Sequence, residues 1–407
     1  MNQIFLTCLC CLLVTGVSGT AQVLELYRFT SATPTKVNDV EDGSNLYLSS
    51  TDAPDILAKI SITSNGKTYT LQTLPNNLDA NGFTIGFPVK SDLTISTTNS
   101  AKDTDALNGV IFISNAAMAK DPNFLVYLVS DQVKTIDRSN SQDTTLMVFN
   151  RRVERQATDP VGKPYYYSRL ENIVQEKTST VLMYQGIPTE QYSDPTYKAA
   201  STLIFRNPMA FVESFNMDED TMFFPNVEPI QYTLRSYHIR ALGPVKFTVS
   251  QDWKDLSTYM TTNETTTGYM MSQKGVDRAT VDFQYTPNHD GKFGFMITTS
   301  DLAADLNVTS CGSMKCYTEA FSKSMPVATD LFQKDRNDTS LYINPANTDS
   351  GFFYLQYFRI ESGVSVPGES TSTAATTEKA PETTTRLGAV NSVFVSILST
   401  FVVLCWI

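Results

Sequence analysis

Residues 56–74 read ILAKISITSNGKTYTLQTL. Ile60 and Ile62 share one side of an extended chain, as do Tyr69 and Leu71, and Asn65-Gly66 lies between the pairs. Side chains two apart line one face of a strand, and Asn-Gly takes the positive φ angles of a tight turn. The stretch therefore predicts a β-hairpin. The pattern recurs along the chain. NGFTIGFPV (81–89) sets Phe83, Ile85 and Phe87 on one face after Asn81-Gly82. PVKFTVS (244–250) aligns Val245, Phe247 and Val249. VDFQYTPNHDGKFGFMI (281–297) predicts another hairpin, with Val281, Phe283 and Tyr285 before the turn and Phe293 and Phe295 after it. Alternation at period two means one buried face and one wet face, the habit of antiparallel sheets. No long stretch carries helical periodicity. Strand signals at regular spacing predict an all-β chain of antiparallel β-sandwich domains in tandem.

Both ends carry export signals. Residues 1–22, MNQIFLTCLCCLLVTGVSGTAQ, hold an apolar run from Ile4 to Val17 followed by small residues. This predicts a cleavable signal peptide over residues 1–19. Residues 387–407, LGAVNSVFVSILSTFVVLCWI, contain no charged side chain. A helix of this length just spans a hydrocarbon core of about 30 Å. A single-pass anchor normally carries Lys or Arg on its cytoplasmic side, and the nearby Arg386 lies on the other side of the run. Small residues at Ser372, Thr373 and Ala374, a polar spacer and an apolar tail are the pattern of a removable glycosylphosphatidylinositol (GPI) anchor signal. Ser372 is the candidate attachment residue, and a genuine membrane span is the alternative reading. The expected location is the outer leaflet of the plasma membrane. Between fold and tail, residues 363–386 are rich in Ser, Thr, Pro and Ala with no aromatic residue, which predicts a disordered stalk.

Cysteine usage agrees with export. Cys8, Cys10 and Cys11 leave with the signal peptide and Cys405 with the tail, so Cys311 and Cys316 remain in CGSMKC. Two cysteines in an oxidising compartment pair most simply with each other. Their spacing is not C-x-x-C, and two sulfurs without a nearby His do not fill a zinc site. Asn263, Asn307 and Asn337 each begin an N-glycosylation sequon and are expected on loops. The formal net charge of −11 disfavours nucleic acid as a partner. Arg151, Arg152 and Arg155 form the tight cationic cluster of the chain, and a solvated linker or strand edge accounts for it.

A faint internal repeat marks the domains. GVIFISNAAMAKDPNFLVYLV (109–129) parallels SLYINPANTDSGFFYLQYFRI (340–360). Phe124, Val126 and Leu128 of the first correspond to Phe353, Leu355 and Tyr357 of the second. Each segment is expected to close a domain as a hairpin, the first domain over residues 22–135 and the second region over 142–362. TTLMVFN, STVLMYQGIP and STLIFRNP add strands between them that either begin the second domain or form a small third one, with a sub-boundary near residue 225.

SLYINPANTDSGFFYLQYF resembles the last two strands of a CUB domain, where a Gly-aromatic pair leads into a final aromatic strand. Together with the signal peptide, few cysteines, stalk and hydrophobic end, it makes the chain similar to the CUB-like secreted and cell-surface proteins of nematodes. The resemblance covers about a tenth of the chain. It implies extracellular jelly-roll modules used for binding, and a role in innate defence against microbes. The first domain lacks the disulfides usual in CUB domains, and the calcium ligands of that family have no residue-by-residue match here.

The chain is poor in catalytic patterns. Its histidines are His238, in the alternating run QYTLRSYHIR, and His289, in the turn PNHDG. A half-buried structural role fits the first and turn chemistry the second. Nucleophile-elbow, zinc-helix and phosphate-loop motifs are absent from the sequence. A carboxylate-pair hydrolase needs only two suitably spaced acids and stays open as an alternative. The acidic MDED (217–220) reads as an exposed loop. PYYYSRL (164–170) puts Tyr165 and Tyr167 on one strand face with Tyr166 opposite. Rings packed into the sandwich explain it, and a sugar-stacking platform is the sharper alternative. The expected function is non-enzymatic binding of a protein or glycan at the cell surface, without metal or cofactor. A structural or adhesion protein is the remaining possibility.

Overall fold

The computed structural model describes residues 19–74, 77–140, 143–159, 163–188, 203–211, 220–254, 258–261, 265–272, 279–283, 292–300, 302, 304–312, 315–322, 327–335, 338–344 and 352–361. These residues form antiparallel β-sheets with a few short helices, an all-β sandwich architecture. Among the described residues, six sheets come in three successive pairs along the chain, and Met209–Phe211 with Asp220–Met222 makes a small two-stranded sheet besides.

In the first pair, Gln22–Glu25, Val110–Ile113, Ser44–Ser49 and Phe87–Val89 make one sheet, in that order. Thr35–Lys36, Thr94–Thr97, Ile60–Ser64 and Lys67–Thr70 make the other. The hairpin at Asn65-Gly66 is present, with Ser64 opposite Lys67 and φ angles of 52° and 70° at the turn. The Asp92 carboxylate accepts the Asn65 backbone N–H at 2.9 Å and so fixes the turn. Leu46, Leu48, Ile60, Ile62, Ile95, Ile111 and Ile113 fill the space between the two sheets.

The second pair begins earlier than the sequence suggests. Phe124–Val129 runs parallel to Asp143–Asn150, in a sheet completed by Ser236–Leu242, Thr180–Gln185 and Leu203–Asn207. Lys134–Asp137 pairs with Val245–Ser250 in the facing sheet, beside Ser168–Gln175 and Ile230–Tyr232. Residues 124–129 and 134–137 thus hydrogen-bond within the second pair of sheets, although the first domain is expected to run to residue 135.

The third pair joins Asn226–Val227, Thr266–Met271, Phe352–Ile360, Lys292–Ser300 and Val327–Asp335 in one sheet. Thr258–Thr261, Ala279–Phe283, Asp338–Asn344, Leu306–Gly312 and Cys316–Phe321 form the other. Three expected hairpins are corrected, one of them between the first and second pairs of sheets. Ala279–Phe283 and Lys292–Ser300 lie in different sheets and do not pair with each other as the arms of a hairpin. The repeat segments behave likewise: Val110–Ile113 and Phe124–Val129 occupy different sheets, as do Asp338–Asn344 and Phe352–Ile360. Strands of different sheets need apolar faces too, so the strand pattern is the same as a hairpin's while the partners differ.

Central sheets are covered on both sides. Ile111 and Ile113 face the first core, while Val110 and Phe112 pack on Phe124, Met147 and Phe149 of the second pair. The Phe112 and Phe149 ring centroids are 5.5 Å apart. On the far side of that shared wall, Leu146 and Val148 enter the second core with Tyr237 and Ile239. Alternation between buried and wet therefore disappears in these strands, and their sequences read as unbroken apolar runs.

NGFTIGFPV does not form one buried face. Phe83 is buried against the second core, Ile85 is 46% exposed and Phe87 starts its strand half-buried. A backbone bond from Thr84 N–H to the Val126 carbonyl (2.8 Å) pulls the segment out of its own sheet and onto the second pair.

Candidate functional site

Two features singled out in the sequence, the arginine cluster and the triple tyrosine, meet in the structure. Asp143–Asn150 ends and the chain turns outward through Arg151, Arg152 and Arg155. It returns through Tyr165, Tyr166 and Tyr167 into Ser168–Gln175. The Val153 N–H donates to the Tyr165 carbonyl at 2.8 Å and aligns the two segments. Arg155 Nε donates to the Lys163 carbonyl at 2.6 Å. Lys163 Nζ donates to Asp159 Oδ1 at 2.8 Å, and the Gln156 N–H donates to Asp159 Oδ2 at 2.8 Å. These bonds draw Asp159 below its ordinary carboxylate range, the Lys163 contact first, and Lys163 is raised by the same contact.

Each tyrosine has its own fate. Tyr165 precedes the strand, so strand alternation does not govern it, and it is 42% exposed. The Arg152 guanidinium lies 4.6 Å from its ring centroid and that of Arg155 lies 5.4 Å away. Tyr166 accepts a hydrogen bond from Arg235 Nη2 at 2.9 Å, with the guanidinium 4.7 Å from the ring centroid. The same Arg235 forms an ion pair with Glu25 of the first pair of sheets. Tyr167 is buried, 5.4 Å from the Trp253 ring, and burial raises its phenol pKa. The expectation that Tyr165 and Tyr167 share a face is therefore corrected: one ring faces solvent and the other the interior.

Arg151 is half-buried, and loss of water lowers its pKa from the ordinary arginine value. Its carbonyl accepts from Gln251 Nε2 at 3.0 Å, and that of Arg152 accepts from Thr51 Oγ1 at 3.4 Å. A narrow cleft between Ser49–Thr51 and Asn150–Arg152 has room for little more than a water molecule. The surface at this place is made by the half-buried Arg152, the exposed Arg155 and the exposed Tyr165 ring, not by a deep pocket.

His238 is fully buried, deeper than the half-buried place expected from its strand. Its Nδ1 lies 3.0 Å from the Gly186 carbonyl, and its ring stacks on Tyr184 at 4.9 Å. Burial pushes its pKa down to about 4. The side chain is a packed neutral imidazole.

Cys311 and Cys316 form the expected disulfide, as a cross-strand pair with Cα atoms 4.1 Å apart. Asn307 lies exposed on the strand Leu306–Gly312, between Ala320 and Asn344, instead of on the expected loop. Asn263, Asn337, His289, Ser372, residues 1–18 of the expected signal peptide 1–19, the stalk and the hydrophobic tail lie outside the described residues. So does MDED, apart from Asp220 in the strand Asp220–Met222. Among the described residues no cluster of His, Cys, Asp and Glu is arranged to hold a metal, and no helix is long and apolar enough to cross a membrane. Sequence reasoning missed Arg235 and Glu25, whose contact joins positions too far apart in the chain to leave a local signal.

No curated protein matches the chain. Among solved structures, an uncharacterized protein from Listeria monocytogenes EGD-e is 10% identical over 68% of this chain and 27% of its own, with a TM-score of 0.19. A cycloalternan-forming enzyme from Listeria monocytogenes, in complex with a pentasaccharide substrate, is 10% identical over 81% of this chain and 29% of its own, with a TM-score of 0.17. The Sulfolobus turreted icosahedral virus structure is 9% identical over 85% of this chain and 84% of its own, with a TM-score of 0.16. The chain thus spans less than a third of the length of the two bacterial proteins, and likenesses this weak say nothing of its activity. A family model described as a transmembrane glycoprotein matches residues 41–402, a span that runs through all three pairs of sheets. The chain therefore belongs to the transmembrane glycoprotein family, as a membrane or surface glycoprotein.

Proposed function

We propose that this glycoprotein is a non-enzymatic extracellular binding protein, CUB-like in its modules, GPI-anchored at the cell surface and engaged in innate defence. The observation that carries the binding role is the Arg152–Tyr165–Arg155 stack, an exposed ring with two guanidiniums against it. Arginine and tyrosine together supply charge, planar donors and apolar area at low conformational cost, which suits recognition. Burial of His238 removes it from acid–base work. The defence role rests on the resemblance of SLYINPANTDSGFFYLQYF to the CUB-like family alone. The ligand is a protein or a glycan.

The anchor is tested on the full chain expressed in animal cells. Surface-labelled protein treated with a phosphatidylinositol-specific phospholipase is expected to appear in the medium without residues 387–407. Retention of the intact tail, while a control GPI protein is released, would establish a membrane span instead. Binding is tested by presenting released or detergent-solubilised protein to glycan and cell-surface preparations. Failure to retain any glycan or protein would remove the binding role.

A further inference from the structure

We propose that Arg152 and Arg155, held against the ring of Tyr165, form the subsite for the acidic group of a glycan, a carboxylate or a sulfate. This rests on the binding role above and names its ligand chemistry.

Three observations meet at this place. First, the two guanidiniums crowd one ring, 4.6 and 5.4 Å from its centroid, in a chain whose formal net charge is −11. Lys163, Arg169, Arg235, Lys246 and Lys254 all form ion pairs with carboxylates. Among the described residues, Arg152 and Arg155 have no such partner. The carboxylate of Asp159, which feels the charge of Arg155, is already held by Lys163, so an added anion at this place gains attraction from both guanidiniums.

Second, the place is built. The Val153–Tyr165 backbone bond, the Arg155 Nε bond to the Lys163 carbonyl and the Thr51 bond to the Arg152 carbonyl fix both segments. Arg155 spends Nε on this bond, which leaves its terminal nitrogens for a ligand. Planar guanidinium forks match carboxylate and sulfate oxygens in pairs, which ammonium groups do not.

Third, the surroundings select the ligand. The chain's negative charge repels dense polyanions such as nucleic acid and anionic membranes. A glycan bearing isolated acidic groups on a neutral backbone escapes that repulsion. The exposed part of Tyr165 adds apolar surface and a hydroxyl beside the charge, which suits a sugar ring.

The test uses the full chain in detergent and three small sugars: 3′-sialyllactose with a carboxylate, 3′-sulfolactose with a sulfate, and neutral lactose. Titration calorimetry near physiological salt is expected to show one or both acidic sugars binding at least about tenfold tighter than lactose. The R152Q/R155Q variant is expected to lose about tenfold or more of that affinity while its unfolding temperature stays that of wild type. R155Q alone is expected to weaken binding, and R155K, which keeps charge without the fork, to fall between R155Q and wild type. This single change at an exposed side chain serves if the double variant fails to fold.

Equal binding of all three sugars, no binding of either acidic sugar, or unchanged affinity in R152Q/R155Q or R155Q would overturn the subsite. Heparin binding without binding of the small acidic sugars would also overturn it, as undirected charge attraction. If a neutral glycan or a protein is still retained in any of these cases, the binding role stands and only the subsite falls.

Discussion

Gln356 treats Arg206 as a neighbouring strand would. Its Oε1 accepts the Arg206 backbone N–H at 3.1 Å, and its Nε2 donates to the Arg206 carbonyl at 2.8 Å. One residue of Phe352–Ile360 thereby continues the hydrogen bonding of Leu203–Asn207 across the seam between the second and third pairs of sheets. Gln356 is buried, and Nε2 also reaches Thr267 Oγ1 at 3.0 Å.

Replacing Gln356 with Met keeps its bulk and removes this side-chain pairing. A buried backbone group deprived of its partner costs about 1–3 kcal/mol. The Gln356→Met chain is expected to unfold at lower denaturant, with a loss of about 2–4 kcal/mol. An unchanged midpoint in a urea titration would show that water replaces the amide without cost.

His238 gives a signed pH dependence. Its pKa is about 4 folded against 6.5 for the free side chain. Between those values the unfolded chain binds the proton and the folded chain does not. Stability is therefore full above pH 6.5 and falls as the pH drops toward 4, by about 1.4 kcal/mol per unit from this residue. The His238→Phe chain is expected to show a shallower loss over that window, although it starts less stable. Parallel stability curves from pH 7 to 4.5 for the two chains would refute the assignment.

Two glycines separate steric from backbone effects. A Cβ on Gly268 would stand 2.1 Å from the Cζ and Oη atoms of Tyr357, whose ring is buried. Gly268→Ala is expected to cost about 1–3 kcal/mol by overpacking. A Cβ on Gly66 meets nothing within 4 Å, but φ there is +70°. Gly66→Ala is expected to cost about 1–2 kcal/mol through the backbone alone. Thermal melts of both variants check this, and a neutral Gly268→Ala would mean that Tyr357 moves aside.

Asn307 faces solvent from a strand, so its amide is open to glycosylation without disturbing the core. Protein from animal cells is expected to lose one glycan's mass in Asn307→Gln, seen as faster gel migration that disappears after N-glycosidase treatment. Its stability is expected to stay within about 0.5 kcal/mol of the unglycosylated wild type. Identical migration of wild type and Asn307→Gln would show the sequon to be unused.

Local chemistry was legible in the sequence. Asn65-Gly66 announces its hairpin because the turn and both strands lie within a few residues. Val245, Phe247 and Val249 are buried as their spacing requires. Cys311 and Cys316, five residues apart, form the disulfide that their spacing suggests. Partner choice between distant strands was not legible. The apolar runs VIFI, FLVYLV and TTLMVFN signal burial on both faces, yet nothing in them says that 124–129 lies beside 143–150 and not beside 110–113. For the candidate site, both members of the Arg152–Tyr165 contact stood out by composition. Their meeting did not, because it depends on bonds between 153–155 and 163–165, one backbone to backbone and one from the Arg155 side chain, that leave no sequence pattern.

The shared walls also set a timetable for biosynthesis. Phe112 receives its outer cover only after Met147 and Phe149 have been made. The core that holds Tyr237 is closed by Tyr269 and finally by Tyr354. At about 5–20 residues per second, the wait between those last tyrosines and Tyr237 is on the order of ten seconds. During that interval a growing chain carries naked aromatic walls. Chains cut after residue 135 or 250 never receive their missing wall, and they should stay bound to chaperones instead of reaching the surface.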